Sequence, residues 1–152
     1  MPADWYELRS ATATDADDVA RLVDDAYRHY VERIGREPGP MREDYAAVIR
    51  ERETTVAESD GALVGLLVVG ETDEGFALLN IAVRPSHQGR GLGRTLLELA
   101  EAEARRAGFD SIYLYTHEKM TENQALYARI GYVEYERRRE GDLARVFMRK
   151  PL

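Results

Sequence analysis

Apolar positions in this chain change period several times, and each change marks an element. Val19, Leu22, Val23, Ala26, Tyr27 and Tyr30 fall at i, i+3, i+4, i+7, i+8 and i+11, the stripe of an amphipathic helix. Thr14 offers its N-cap, Asp15 and Asp17 put negative charge in the first turn, and Gly35 supplies a stop. A short strand over Tyr6 to Arg9 precedes it. A second helix, about Met41 to Glu51, sets Met41, Tyr45, Val48 and Ile49 on one face. The pattern then turns strand-like. Thr54 to Ser59 and Ala62 to Val69 flank Asp60-Gly61, a tight-hairpin signal, and Phe76 to Val83 is almost continuously apolar, as a strand covered on both faces must be.

A helical period returns from Leu92 to Ala107 through Leu96, Leu99, Ala100 and Ala104, with Arg105 and Arg106 in the last turn and Gly108 as its stop. Ser111 to Thr116 reads as a further strand. Thr121 to Gln124 has capping-box spacing and opens a helix that ends at Gly131. Val133 to Arg139 and Leu143 to Arg149 close the chain as a hairpin around Glu140-Gly141-Asp142. The order β-α-α-β-β-β-α-β-α-β-β predicts an α/β (α+β) fold. It is a mixed, mostly antiparallel twisted sheet of about seven strands with four flanking helices and one right-handed parallel crossover.

With 152 residues, 44% apolar and 32% charged, the chain has the size and balance of one globular domain, 1–152. Its 28 acidic against 21 basic residues give a net charge of −7, which argues against nucleic acid as a partner. The charge mildly favours a cationic acceptor. The absence of cysteine rules out disulfides, thiolate metal sites and a Cys nucleophile. His29, His87 and His117 are too scattered for a helical ligand pair, so no metal is expected. Met1 to Arg9 carries acids and no apolar run, and no stretch approaches the roughly 18 apolar residues of a membrane span. A cytoplasmic location and no membrane partner are therefore expected.

The densest chemistry lies in Gln88-Gly89-Arg90-Gly91-Leu92-Gly93-Arg94, between an apolar strand and an amphipathic helix. Glycines leave backbone N–H groups bare, and with the positive end of the following helix these make a socket for phosphate or pyrophosphate. Arg90 and Arg94 add cationic side chains. A P-loop would need a Lys after its last glycine. A dinucleotide fingerprint counted from Gly89 would need glycine where Arg94 stands.

The run Ile81-Ala82-Val83-Arg84-Pro85, then Gln88-Gly89-Arg90-Gly91-Leu92-Gly93 and Leu96-Leu97, resembles the acetyl-CoA signature of GCN5-related N-acetyltransferases (GNAT). Asn123, Ala125, Leu126, Tyr127, Gly131 and Tyr132 resemble that family's second landmark, N-x-x-A-L-Y-x-x-x-G-[FY]. The resemblance spans nearly the whole element order. It implies the GNAT fold and transfer of an acetyl group from acetyl-CoA to a primary amine by direct attack in a ternary complex. It also implies that Ile81 and Val83 pair with the pantetheine arm as an added strand. Amides from Gln88 to Arg94 would hold the pyrophosphate, Asn123 would contact the pantetheine, and Tyr127 would protonate the departing thiolate. Many such relatives pair as homodimers.

An amine attacks a thioester only as the free base, and the oxyanion that forms needs a donor, for which a backbone N–H near Ile81 or Ala82 is placed. Many members of the family carry a Glu on the central strand as base; here the stretch reads Leu78-Leu79-Asn80. Asn80 can orient a water, and His117, with a reference pKa near 6.5, is a candidate base set against a plain surface role. Glu118, Asp73 and Glu74 are weaker candidates. Tyr27, Tyr30, Met41 and Tyr45 are candidate lining for a small-molecule or peptide acceptor, each weighed against ordinary packing. The alternative function is a non-catalytic acyl-CoA-binding sensor or interaction module, kept open by Asn80 and opposed by Tyr127.

Overall fold

The computed structural model describes residues 4–141 and 143–152. The start of the Met1 to Arg9 stretch and the Asp142 position of the last hairpin turn therefore lie outside the described residues. Seven strands are present: β1 (Glu7–Ser10), β2 (Glu53–Ser59), β3 (Ala62–Thr72), β4 (Gly75–Val83), β5 (Ser111–His117), β6 (Val133–Glu140) and β7 (Leu143–Pro151). The helices are α1 (Ala16–Tyr27), α2 (Tyr30–Ile34), α3 (Tyr45–Glu51), α4 (Leu92–Arg106) and α5 (Thr121–Arg129). The strands form one sheet in the order β1-β2-β3-β4-β5-β7-β6, antiparallel except where β4 meets β5.

Two apolar layers cover the sheet. Val19, Leu22 and Val23 of α1 and Tyr45 of α3 pack on Val56, Leu66 and Val68 on one face. Leu96, Leu97 and Ala100 of α4, with Tyr127 and Tyr132, pack on Leu67, Leu78, Ile112 and Leu114 on the other. Gly65 lets α4 sit down on β3: a Cβ there would lie 2.8 Å from Leu92 Cδ2. That contact fixes the first turn of α4 against the sheet.

Several local expectations give way to longer-range contacts. The helix expected to run through Tyr30 breaks at Arg28-His29, and α2 ends at Gly35. The break accompanies contacts to α5: Tyr30 Oη donates to Asn123 Oδ1 (3.4 Å), and Arg33 Nη1 pairs with Glu122 (2.6 Å). The helix expected from Met41 is a 3₁₀ turn over Gly39–Arg42 followed by α3, because the Asp44 carboxylate caps the N–H groups of Ala46 and Ala47 (3.1 and 3.3 Å). Among the described residues five α-helices thus flank the sheet, where four were expected. Thr121 is the first residue of α5 rather than its cap. Gln124 does not complete a capping box but reaches back to the carbonyls of His117 and Glu118.

Thr14 does not cap α1 either. A 3₁₀ turn, Ala13–Asp15, leads in, and Asp15 turns inward to accept from Thr12 N (2.7 Å) and from both Nη1 and Nη2 of Arg9 (2.8 and 3.0 Å). The Arg9 guanidinium holds the Asp15 carboxyl down at about 2. A carboxyl lowered in the folded state stabilises above its unfolded value, near 3.9, and loses that contribution as pH falls towards 2. Asp15→Asn is expected to cost about 1–2 kcal/mol at pH 7, discounted because Arg9 is 39% exposed. Urea titrations at pH 7 and pH 2 check this: the gap between variant and wild type closes at the lower pH. A gap unchanged by pH would remove the ion pair from the account.

Candidate active site

The central strand is built to leave its neighbour. β4 and β5 pair only at Ala77↔Tyr113, yet β4 continues to Val83 and β5 to His117, so the sheet opens into a cleft beyond that point. On the β3 side the ladder shifts register between Val68↔Asn80 and Val69↔Leu78, leaving Leu79 as the extra residue of a bulge. A bulge bends its strand and re-aims the following side chains. The carbonyls of Ile81 and Val83 accept from side chains, Tyr27 Oη (3.0 Å) and Gln88 Nε2 (3.1 Å), as those of a strand edge do. A carbonyl has a second lone pair, so both remain able to pair with an added strand. Ala82 points the other way, buried against α1.

At the mouth of the cleft the chain turns through Gln88 to Gly93 into α4. Gly89 and Gly91 take positive φ (+78° and +92°), Gly91 as the N-cap, a conformation that glycine adopts at no steric cost. Thr95 is the first amide of this helix bonded back into the turn, to Gly91 O. Among the described residues the amides of Gly89, Arg90, Gly91, Leu92, Gly93 and Arg94 have no backbone acceptor. Six bare donors at the positive end of a 15-residue helix fit a pyrophosphate. Gly93 adds an independent test. A Cβ there would touch only Val83 Cγ2 at 3.9 Å, so the protein itself has room for a side chain. The open space fits a ligand that must approach the backbone.

Arg90 does not simply hang over this turn. Its guanidinium stacks on the Trp5 ring at 3.9 Å, and Trp5 in turn stacks on His87. Arg94 is exposed on the first turn of the helix. Trp5 escaped the sequence reading because nothing local ties residue 5 to residue 90.

Deeper in, a cavity of about 470 Å³ opens between β4, β5, α3 and α5. Tyr27, Asn80, Ile81, His117, Asn123 and Tyr127 all line it, brought together by β4, β5, α1 and α5. Tyr127 is 8% exposed, and its hydroxyl makes no hydrogen bond to the described residues. Burial, with Tyr30 nearby, pushes this phenol up to about 12. Asn123 accepts from Tyr30 and donates weakly to Met120 Sδ.

Asn80 is the hub of the far wall. Its Oδ1 lies 3.0 Å from Tyr27 Oη, and its Nδ2 donates to Tyr45 Oη (2.9 Å), which donates on to Pro40 O (2.6 Å). One carboxamide thus ties β4 to α1, α3 and the preceding turn. Burial raises the Tyr27 and Tyr45 phenols as well, so this wall is uncharged at neutral pH. His117 is half-buried with its Nδ1 accepting from Lys119 N (3.0 Å), and burial pushes its pKa down.

Met41 is not brought to the cavity. It borders a shallow depression with Asp24, Asp25 and Arg84 on the outer side of α1, because the turn at Gly39–Arg42 rotates it away. Glu118 pairs with Arg139, and Glu74 pairs with Arg138. Among the described residues no three His, Asp or Glu side chains converge as a metal site, and no helix is long and apolar enough to cross a membrane.

Comparison with known proteins agrees with this geometry. Residues 16–132 match the family model described as "Acetyltransferase (GNAT) family". An aminoalkylphosphonate N-acetyltransferase of Salmonella typhimurium is 28% identical over 140 residues, 83% of this chain and 84% of that one. The fold is shared with the PaiA N-acetyltransferase of Thermoplasma acidophilum, solved in complex with coenzyme A. That match has a TM-score of 0.80 and 18% identity, covering 97% of this chain and 99% of the other. An acetyltransferase of Thermus thermophilus superimposes with a TM-score of 0.72 at 23% identity over the full length of both chains.

Proposed function

The chain belongs to the GNAT family of acetyltransferases and is an acetyl-CoA-dependent N-acetyltransferase; on that premise we propose that it serves a primary amine by direct attack, with both substrates held at once. The observation that carries this is the cleft beyond Ala77↔Tyr113, which leads from six bare amides at one end to the Tyr127 hydroxyl at the other. Acetyl-CoA supplies an acetyl group activated as a thioester.

The protein's own part is positioning and hydrogen bonding. Amides from Gly89 to Arg94 bind the pyrophosphate, with Arg90 steadied on Trp5. Ile81 and Val83 offer backbone groups to the pantetheine, and Asn123 offers its carboxamide. The backbone N–H near Ile81 or Ala82 donates to the carbonyl oxygen as charge develops there. Tyr127 donates to the sulfur. Asn80 is a positioning residue in this scheme: its carboxamide is committed to two tyrosines, and that bond set holds the acceptor wall in shape. The Nδ1 of His117, already taken by a backbone N–H, makes it a poor base.

We propose further that 1–152 works as one domain and that a cysteine-free chain serves in the cytoplasm. Pairing as a homodimer would draw on Val133 and Tyr135, exposed on the edge strand β6. GNAT enzymes act on small-molecule or protein amines, and a cavity of about 470 Å³ suits a small amine or the end of a peptide.

The test is release of free CoA from acetyl-CoA across a panel of primary amines, with calorimetry on the same sample. Binding heat together with amine-dependent release is expected. Heat without release from any amine would overturn the transfer scheme; no heat would overturn the cradle as well.

A further inference from the structure

We infer that the acceptor is a weakly basic primary amine, an α-amino group beside an amide carbonyl, which enters the cavity already uncharged. The inference rests on the transfer scheme above and names the substrate class of that same site.

At pH 7 about a tenth of α-amines with a pKa of 7.7–8.0 are neutral, against roughly one in 2,500 lysine ε-amines at 10.4. A strongly basic amine therefore needs a site that holds its ammonium and removes the proton. The walls here do neither. Facing the cavity are Tyr27 from α1, Tyr45 from α3, Tyr127 from α5 and Asn80 from β4, all neutral at that pH. On β5, the Nδ1 of His117 accepts the Lys119 N–H, so the neutral ring carries its proton on Nε2 and turns no free lone pair to an incoming ammonium.

Carboxylates are present, but at the rim. Glu37, Glu43, Asp44 and Glu51 are all exposed, and Asp44 is occupied in capping α3. The rim also carries Arg36, Arg52 and Arg145, so it is of mixed charge. An ammonium moving inward would shed water without gaining a carboxylate partner, a cost a neutral amine escapes. A neutral amine instead finds the phenol oxygens of the cavity wall as hydrogen-bond partners. In the reaction the nitrogen bonds to the acetyl carbon, and the C–S bond breaks with its electron pair on sulfur. The surplus proton of the nitrogen ends on that sulfur or in solvent. No deprotonated side chain is required beforehand.

The experiment uses two peptides of one sequence, one with a free N-terminus and its lysine blocked, the other with the N-terminus blocked and its lysine free. CoA release is followed from pH 6 to 10 at saturating acetyl-CoA. The α-amine is expected to lead by about 10²-fold or more in kcat/KM at pH 7, with each profile levelling near its own amine's pKa. A single amino-acid amide runs beside them. Whichever α-amine is faster supports the inference and sets the size of the acceptor. Equal or faster turnover of the ε-amine, a polyamine or an aminoalkylphosphonate at pH 7 overturns it and leaves acetyl transfer standing. So does a kcat/KM that falls as the amine loses its proton. No release with any amine removes both.

Discussion

Gly93→Glu will fold and will bind acetyl-CoA at least 10²-fold more weakly than the parent. The position separates ligand from scaffold. Among the described residues the only neighbour of a Cβ there is Val83 Cγ2 at 3.9 Å, an ordinary contact, and the residue is helical. Replacing a helical glycine removes a penalty of about 0.5–1 kcal/mol. A carboxylate in the first turn also suits the helix dipole. Thermal stability is therefore expected to hold or rise, while the new carboxylate lies where the pyrophosphate would. Gly91→Glu would weaken binding too, but Gly91 sits at φ +92°, so a side chain there distorts the turn and mixes the two effects. Calorimetric titration of Gly93→Glu with coenzyme A and with acetyl-CoA, beside a melting curve, decides the matter. A folded variant with affinity within threefold of wild type would mean that the phosphates bind elsewhere.

The same contrast shows what the sequence could carry. Glycines at alternate positions before an amphipathic helix specify bare amides through backbone chemistry alone, and the amides without a backbone acceptor, Gly89 to Arg94, fall inside the Gln88 to Arg94 run. The sheet was legible for a similar reason: period-two and continuous apolar runs report burial, and strand ends moved by only a few residues. What local pattern does not hold is a partner far along the chain. Asn80 reads as a water-orienting side chain until Tyr27, 53 residues earlier, and Tyr45, 35 earlier, are seen to take its carboxamide. Arg90 reads as a free cation until Trp5 lies beneath it. The capping spacing at Thr121 is satisfied differently because Gln124 finds carbonyls at the end of β5. The Asn80 network also answers the feature that kept a non-catalytic binder in view. An amide at that place holds the acceptor wall together, and a weakly basic amine needs no carboxylate there.

Tyr127→Phe is expected to lower kcat by about 10–10²-fold with little change in affinity for acetyl-CoA, and to leave stability unchanged or slightly improved. The stability half follows from burial. The residue is 8% exposed and lines the cavity, where its hydroxyl has no hydrogen bond to the described residues, so its loss orphans no protein partner. The catalytic half follows from the phenol's pKa. Burial holds it at about 12, against about 8.5 for a thiol, so full proton transfer to a leaving thiolate would run uphill by several units. In the proposed scheme Tyr127 would therefore donate a hydrogen bond to sulfur as charge builds there, and the surplus amine proton would pass to sulfur or to solvent. This refines the expectation of a protonating tyrosine and limits the effect of its loss to that of a charge-assisted hydrogen bond, about 1.5–3 kcal/mol. Tyr132→Phe is the control, since its hydroxyl also has no partner but is fully buried and does not line the cavity. Both variants should melt like wild type while only Tyr127→Phe loses turnover. Equal kcat in the two would return Tyr127 to a packing role and leave the sulfur without its donor.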